Sequence, residues 1–293
     1  MKTICGRGRP LAAARENLAR AAFAACACAC IACVALICVF LFANSIPALR
    51  EIGLFSFLSG TTWRPGNGIY GILPMILGSI YVTAGALLIG VPVALLTAIF
   101  LARFCPRRLL KPMTAAVNLL AGIPSVVYGF FGLTVLVPAV RDTLGGNGNA
   151  ILTASLLLGM MILPTIVGVA LSAIRAVPEA YYEGSLALGA SHERSVFFAV
   201  FPAARSGVMA GVILGVGRAV GETMAVIMVA GNQPRMPAGI LKGVRTLTAN
   251  IVMEMSYATD LHREALIATA AVLFVFILLI NFCFSMLKRR SGQ

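Results

Sequence analysis

Val177-Pro178-Glu179-Ala180-Tyr181-Tyr182-Glu183-Gly184-Ser185-Leu186-Ala187-Leu188-Gly189-Ala190-Ser191-His192-Glu193-Arg194-Ser195-Val196-Phe197-Phe198-Ala199-Val200-Phe201-Pro202 joins two long apolar runs. Pro178 suits the first turn of a helix. Tyr182, Leu186 and Gly189 recur at helical spacing, and Gly189 is placed to end that helix. A second short helix is expected to end before Pro202. Two short helices with an apolar face need a surface to dock against. The runs on either side, Ala150 to Ile174 and Ser206 to Val229, set the context.

Those two runs belong to a set of six. The others are Ala21 to Ala43, Ile72 to Ala102, Met113 to Val140 and Ala265 to Leu287. Each reaches the length of about 20 residues that a helix needs to cross a bilayer. Of the 293 residues, 60% are hydrophobic and only 11% charged, where a soluble domain carries about 25% charged residues. None of the runs alternates as an outer-membrane strand does. Backbone groups in lipid must pair within their own segment, so the runs are helices. The fold class is all-α: a polytopic membrane protein with six transmembrane helices. The net charge of +13 sits between the runs rather than on one patch, which excludes nucleic-acid binding as its cause.

The connections set the orientation. Lys2, Arg7, Arg9, Arg15, Arg20, Arg103, Arg107, Arg108, Lys111, Arg175, Arg194, Arg205, Lys288, Arg289 and Arg290 fall on one side. Arg50, Arg64, Arg141, Arg235, Lys242, Arg245 and Arg263 fall on the other. The positive-inside rule then puts both termini in the cytoplasm. The apolar core of the first run exceeds the 7–15 residues of a signal peptide, and it reads as an uncleaved helix. The chain divides into a basic segment 1–20, a first transmembrane helix 21–46, and a five-helix core 72–287 that includes the cytoplasmic loop 176–205. Cys26, Cys28, Cys30, Cys33 and Cys38 lie in the first run, and Cys5, Cys105 and Cys283 elsewhere. They read as buried free thiols acting as small hydrophobes, since their spacing matches neither a disulfide framework nor a metal site.

Two charges interrupt the fifth run, in Gly215-Val216-Gly217-Arg218-Ala219-Val220-Gly221-Glu222-Thr223. Arg218 and Glu222 are four apart, so they are expected to share one helical face. Each costs about 2.5–3.5 kcal/mol near the bilayer centre, so they pair, find partners on another helix, or face water. An arginine fork in a cavity is a good transient partner for a tetrahedral oxyanion. Ser125 and Tyr128 in the third run either touch such an anion or bond to neighbouring backbone. Lys242 and Arg245 either attract anions or an acidic protein surface, or belong to a solvated loop. Gly90-Val91-Pro92, Gly122-Ile123-Pro124 and Gly159 with Pro164 mark helix packing and kinks, or kinks along a pathway.

The 176–205 loop is similar to the EAA motif of ABC-importer permeases: Glu-Ala-Ala, three residues, Gly, nine residues, Ile-x-Leu-Pro. Glu183, Gly189 and Pro202 keep that spacing; Gly184 and Ser185 replace the alanines, Ala199 the Ile and Phe201 the Leu. Trp63-Arg64-Pro65 with Tyr70-Gly71-Ile72-Leu73-Pro74 resembles the first external loop of phosphate-specific permeases of the PstC type. Leu120 to Gly129, Gly217 to Met224 and Leu247-Thr248-Ala249 resemble the same family, so the likeness covers about residues 55 to 287. It implies a type I ABC importer permease (MetI-like) fold in a bacterial inner membrane, and inorganic phosphate as the solute. It also implies a second, PstA-like permease, two copies of a PstB-like ATPase, and an external PstS-like phosphate-binding protein. The loop, with Glu183, Gly184, Ser185, Gly189, Phe201 and Pro202, would then be the coupling helix seated in the ATPase. Arg218, Glu222, Ser125 and Tyr128 would line the pathway.

The chain has no Gly-Lys pair and hence no P-loop, so no cofactor is expected on it and ATP is used by the partner subunit. A permease for another small oxyanion and an ion-coupled secondary anion transporter remain as alternatives. The latter would usually show two similar halves, and none is evident. A membrane enzyme is disfavoured: His192 and His262 both lie outside the six runs, and no metal or nucleophile motif occurs.

Overall fold

The computed structural model describes residues 9–291. Lys2, Cys5 and Arg7, and with them the start of the basic segment, lie outside the described residues. The elements in chain order are α1 (Arg9–Ile52), α2 (Leu54–Ser59), β1 (Trp63–Arg64), β2 (Ile69–Tyr70), α3 (Leu73–Ile99), α4 (Arg107–Gly122), α5 (Ser125–Phe131), α6 (Val137–Leu144) and α7 (Ile151–Arg175). There follow α8 (Glu179–Ala187), α9 (His192–Ser195), α10 (Phe201–Ala203), α11 (Arg205–Gly221), α12 (Met224–Val229), α13 (Leu247–Glu254) and α14 (Asp260–Ser291). Among the described residues, five helices are long and apolar enough to span a membrane, and a bent pair, His192–Ala203 with Arg205–Gly221, gives six when taken as one span. The all-α architecture holds apart from one small hairpin, in which Trp63 faces Tyr70 and Arg64 faces Ile69.

α7 is the centre of the bundle. Its apolar side chains Leu157, Leu158, Ile162 and Ile166 are fully buried against α3, α5 and α11. The α3–α7 approach is close because both helices carry glycine at the crossing. A Cβ added to Gly90 would lie 2.8 Å from the Gly159 carbonyl oxygen and 2.9 Å from Ile162 Cδ1. Small residues let membrane helices meet backbone to backbone, where dispersion rather than hydrophobicity holds them.

A second core sits at the end that carries the hairpin, here called the hairpin end. Phe57, Trp63, Tyr70, Ile72, Met75, Leu247 and Leu266 pack there, with the Trp63 and Tyr70 rings edge to face at 5.6 Å. α1 leans on this end and on α14, where Phe42 meets Phe274. The helix is about 66 Å long at 1.5 Å per residue, longer than the hydrocarbon layer. Most of its length is covered by nothing in the chain. Cys26, Cys28, Cys30 and Cys33 are therefore exposed on α1 rather than buried, and all seven described cysteines are free thiols.

Prolines explain the remaining irregularity. The π-helical turns at Phe100–Phe104, Gly132–Leu136 and Val196–Val200 each end two residues before a proline: Pro106, Pro138 and Pro202. Proline lacks an N–H, and its ring crowds the carbonyl four residues earlier. That carbonyl lies inside the π turn each time, at Ala102, Thr134 and Phe198. Widening the coil relieves the clash. The helix stops before Pro106 but passes through Pro138 and Pro202. The expectation that the second loop helix ends before Pro202 is thus corrected: it runs on through α10 and bends by 71° into α11.

Two expected spans are interrupted. The run from Met113 to Val140 breaks at Ile123-Pro124, because the residue before a proline is driven to extended backbone. Its spanning part is Ser125–Leu144. The run from Ser206 to Val229 breaks at Glu222-Thr223. Replacing Gly90 by Leu is expected to cost about 1–3 kcal/mol through overpacking. This would appear as a lower melting temperature of the solubilised chain. Gly168→Leu, at a site with no neighbour within 4 Å, should leave the melting temperature near that of the parent.

Candidate functional site

The break at Glu222 decides what the intramembrane charges do. α11 ends at Gly221, and Glu222 has extended backbone at φ −69°, ψ 133°. The helical i,i+4 geometry that would join Arg218 to Glu222 is absent. This corrects the expectation of a shared face. The Glu222 carboxylate turns instead to the start of α12, where Oε1 accepts from the backbone N–H of Thr223 at 3.1 Å and of Ala225 at 3.2 Å. It caps orphan donors that lipid could not satisfy. Its own carbonyl accepts from Thr248 Oγ1 at 3.1 Å. Thr246 and Thr248 hydroxyls lie 3.0 Å apart, and Ser79 Oγ accepts the Leu247 N–H at 2.9 Å. With Thr83, these groups line a small hydroxyl-rich cavity beside Glu222.

Arg218 stands in the last turn of α11 and is exposed. The partial negative charge of the helix C-terminus favours a cation there. Its guanidinium lies within electrostatic range of the Tyr128 hydroxyl. Tyr128 itself is committed to the fold, because its O–H donates to the Leu120 carbonyl at 2.9 Å across the Pro124 break. Of the two readings of Tyr128, the structure takes the backbone one. Ser125 is half-buried at the first turn of α5. Gly129, one turn on, lets α5 meet α12; a Cβ there would lie 2.6 Å from Met228 Sδ.

The 176–205 loop occupies the opposite end. Gly189 sits two residues beyond α8 with φ +86°, a conformation that glycine adopts without strain. Its N–H donates to the Leu186 carbonyl, and that of Ala190 to Ser185. Ser191 Oγ then caps α9 by accepting from the Arg194 N–H. Arg103 holds the loop to the end of the α3 coil. It pairs with Glu179 at 2.9 Å and lies over the Tyr182 ring at 5.4 Å. The Tyr182 hydroxyl and His192 Nδ1 are 2.8 Å apart, and Phe104 stacks edge-on against His192. Glu183, Gly184 and Pro202 are exposed, while Ser185 and Phe201 are half-buried. Leu188 is 91% exposed, and Tyr181, Leu186 and Phe198 also face outward. An apolar surface of this kind on a loop waits for a partner.

At the hairpin end a buried polar network appears that the sequence reading did not assemble. Glu254 accepts from Trp63 Nε1 at 2.9 Å and from Arg245 at 2.5 Å, and lies 2.9 Å from His262 Nε2. Arg245 also donates to Asn250 Oδ1 and to the Asn232 carbonyl. Arg245 is thereby withdrawn from the roles of anion attractor and solvated loop residue; it is an internal brace. Burial pushes the Tyr70 phenol above its ordinary value, with the Glu51 carboxylate adding to the effect, so it stays neutral beside this network. The signal was present: Asn250 and Glu254 are four apart on α13, facing a cation five residues upstream. Among the described residues, no three His, Cys, Asp or Glu side chains are placed to hold a metal ion.

The bundle with its interrupted helices and protruding 176–205 loop has the architecture of an ABC-importer permease. Comparison with known proteins agrees. The chain belongs to the family described as binding-protein-dependent transport system inner membrane component, whose model matches residues 90–293. It is similar to the phosphate transport system permease protein PstC of Mesorhizobium japonicum, 38% identical over 82% of this chain and 80% of that protein. PstC 1 of Mycobacterium tuberculosis is 33% identical over 84% and 85% of the two chains. Among solved structures, the bacterial alginate ABC transporter matches with a TM-score of 0.63 at 16% identity, covering 94% of this chain and 95% of that one. The MetNI methionine ABC transporter matches at 0.57 and 20% identity, over 76% and 95%. These two likenesses carry the fold.

Replacing Glu254 by Ala would leave Arg245 without its counter-charge. The expected loss is about 3–5 kcal/mol of stability, the usual effect of breaking one side of a buried pair. Thermal unfolding of the solubilised chain measures it, and the double replacement Arg245→Met with Glu254→Gln, which keeps an acceptor for Trp63 Nε1, should recover most of the loss.

Proposed function

We infer that this chain is the PstC-like permease subunit of an ATP-driven importer that moves inorganic phosphate into the cytoplasm. The observation that carries the reading is Arg218, exposed at the end of α11 while Glu222 is turned away to cap α12. A planar guanidinium with no carboxylate partner among the described residues suits transient, bidentate contact with a tetrahedral oxyanion. The phosphate assignment draws on the names of the relatives, several of which are phosphate permeases.

In this reading the termini and the 176–205 loop are cytoplasmic and the Trp63–Tyr70 hairpin is external, in accord with the excess of Lys and Arg on the loop side. The exposed Tyr181, Leu186, Leu188 and Phe198 form the face that a separate ATPase grips. Gly189 and the Arg103–Glu179 pair make the loop a stiff handle attached to α3, so that movement of the ATPase is transmitted to the bundle. A second, PstA-like permease closes the pathway on the Arg218 side, and a phosphate-binding protein delivers solute at the hairpin end. The chain binds no cofactor, and ATP is hydrolysed by the PstB-like partner.

Uptake of labelled phosphate by vesicles carrying the whole assembly tests this. The parent should accumulate phosphate only with ATP. Arg218→Leu should insert and retain the ATPase but lose uptake by more than about tenfold, the factor corresponding to 1.4 kcal/mol of lost contact. Leu188→Asp should release the ATPase. Normal uptake by the Arg218→Leu variant would remove Arg218 from the mechanism.

A further inference from the structure

A second cationic site lies at the hairpin end, separate from Arg218. Asn147, Asn149, Gln233, Arg235 and Lys242 surround a polar depression of about 220 Å³, floored by Gly231 and Gly243. No carboxylate lines it. At about 30 Å³ per water, it has room for a small oxyanion with part of its hydration shell. Arg245, the third cation of this stretch, is consumed by Glu254. Arg235 and Lys242 have exposed side chains.

The depression is rigid where it needs to be. Gly231 forms a parallel bridge to Val244, and a Cβ on Gly231 would meet Gly243 Cα at 3.1 Å and the Asn149 carbonyl at 3.2 Å. The main chain of Lys242 is fixed at both ends. Its N–H donates to the Gly239 carbonyl, and its carbonyl accepts from Ile151, the first residue of α7. Asn149 stands just ahead of that helix, so the positive end of the α7 dipole adds to the two side-chain charges.

The position links this site to the intramembrane charge. α12 runs from Met224 to Val229, about 9 Å at 1.5 Å per residue. Its start is capped by Glu222, and its end is tied by Asn232 Nδ2 to the Ile227 carbonyl at 2.7 Å. The depression therefore lies one short helix away from Arg218. Arg235 also borders a neighbouring polar hollow with Thr61, Thr62 and Arg64.

We propose that Arg235 and Lys242, with Gln233, Asn147 and Asn149, form an external waiting site for a tetrahedral oxyanion, inorganic phosphate in this chain, before it passes along α12 to Arg218. The inference rests on the phosphate-importer reading and on the hairpin end facing outward. Two cations converging without a carboxylate concentrate a small anion locally. The site is screened by salt because it is open to water.

The test is uptake of labelled inorganic phosphate by right-side-out vesicles carrying the complete importer, with capture of the binding protein measured on the same vesicles. Replacing Lys242 and Arg235 together by Gln leaves every main-chain bond in place, so the bundle is retained. The expected result is a fall in uptake of about tenfold at low phosphate, relieved by raising phosphate, with binding-protein capture unchanged. Arg235→Lys with Lys242→Arg should restore uptake. Two results overturn the proposal: uptake equal to the parent, or uptake lost in step with capture, which would make the face a protein contact. If the double variant does not assemble, the parent decides. Parental uptake that does not weaken between low and high salt, with binding-protein capture held constant, also overturns it. A parent that takes up no phosphate at all defeats the underlying reading instead.

Discussion

Inside a bilayer a peptide group that leaves its helix must find a partner within the protein, since lipid supplies none. That constraint shapes each interruption in this chain. At the Pro124 break the Leu120 carbonyl is met by the Tyr128 hydroxyl. At the Glu222 break the freed amides of Thr223 and Ala225 are met by the Glu222 carboxylate, and the Glu222 carbonyl by Thr248. Where prolines crowd a preceding turn, the coil widens rather than breaking open. The two breaks lie next to each other in space, because α5 packs on α12 through Gly129.

One consequence concerns charge. A carboxylate four residues from an arginine on an intact helix would neutralise it. Ending the helix at Gly221 rotates the carboxylate onto a different task and leaves the guanidinium available. The C-terminal dipole of α11 favours that cation, which stands in the helix's last turn. The hairpin end shows the opposite solution: Arg245 is locked by Glu254, Asn250 and the Asn232 carbonyl, and Glu254 in turn joins α13 to the hairpin through Trp63 and to α14 through His262.

Much of the architecture was legible because it rests on local physics. Uncharged runs of membrane length gave the spans, and Pro178 and Gly189 bounded α8 through their own backbone preferences. The place of the 176–205 loop between two apolar runs was likewise readable. What escaped depends on contacts distant in sequence. The break at Glu222 is stabilised by Thr248, 26 residues on, and no periodicity in Gly215 to Thr223 announces it. The brace at Glu254 brings in Trp63 from 191 residues away. At Pro202 the expected helix stop fails for a different reason: a π turn ahead of the proline lets the coil continue.

The account turns on Glu222 being a helix cap rather than the counter-ion of Arg218. A double-mutant cycle on the stability of the solubilised chain, using Arg218→Gln, Glu222→Gln and the pair, measures that directly. The account predicts that the two changes add to within about 0.5 kcal/mol, as independent sites do. A coupling well above about 1 kcal/mol, with the pair more stable than the single changes imply, would show that the two charges neutralise each other and would contradict it.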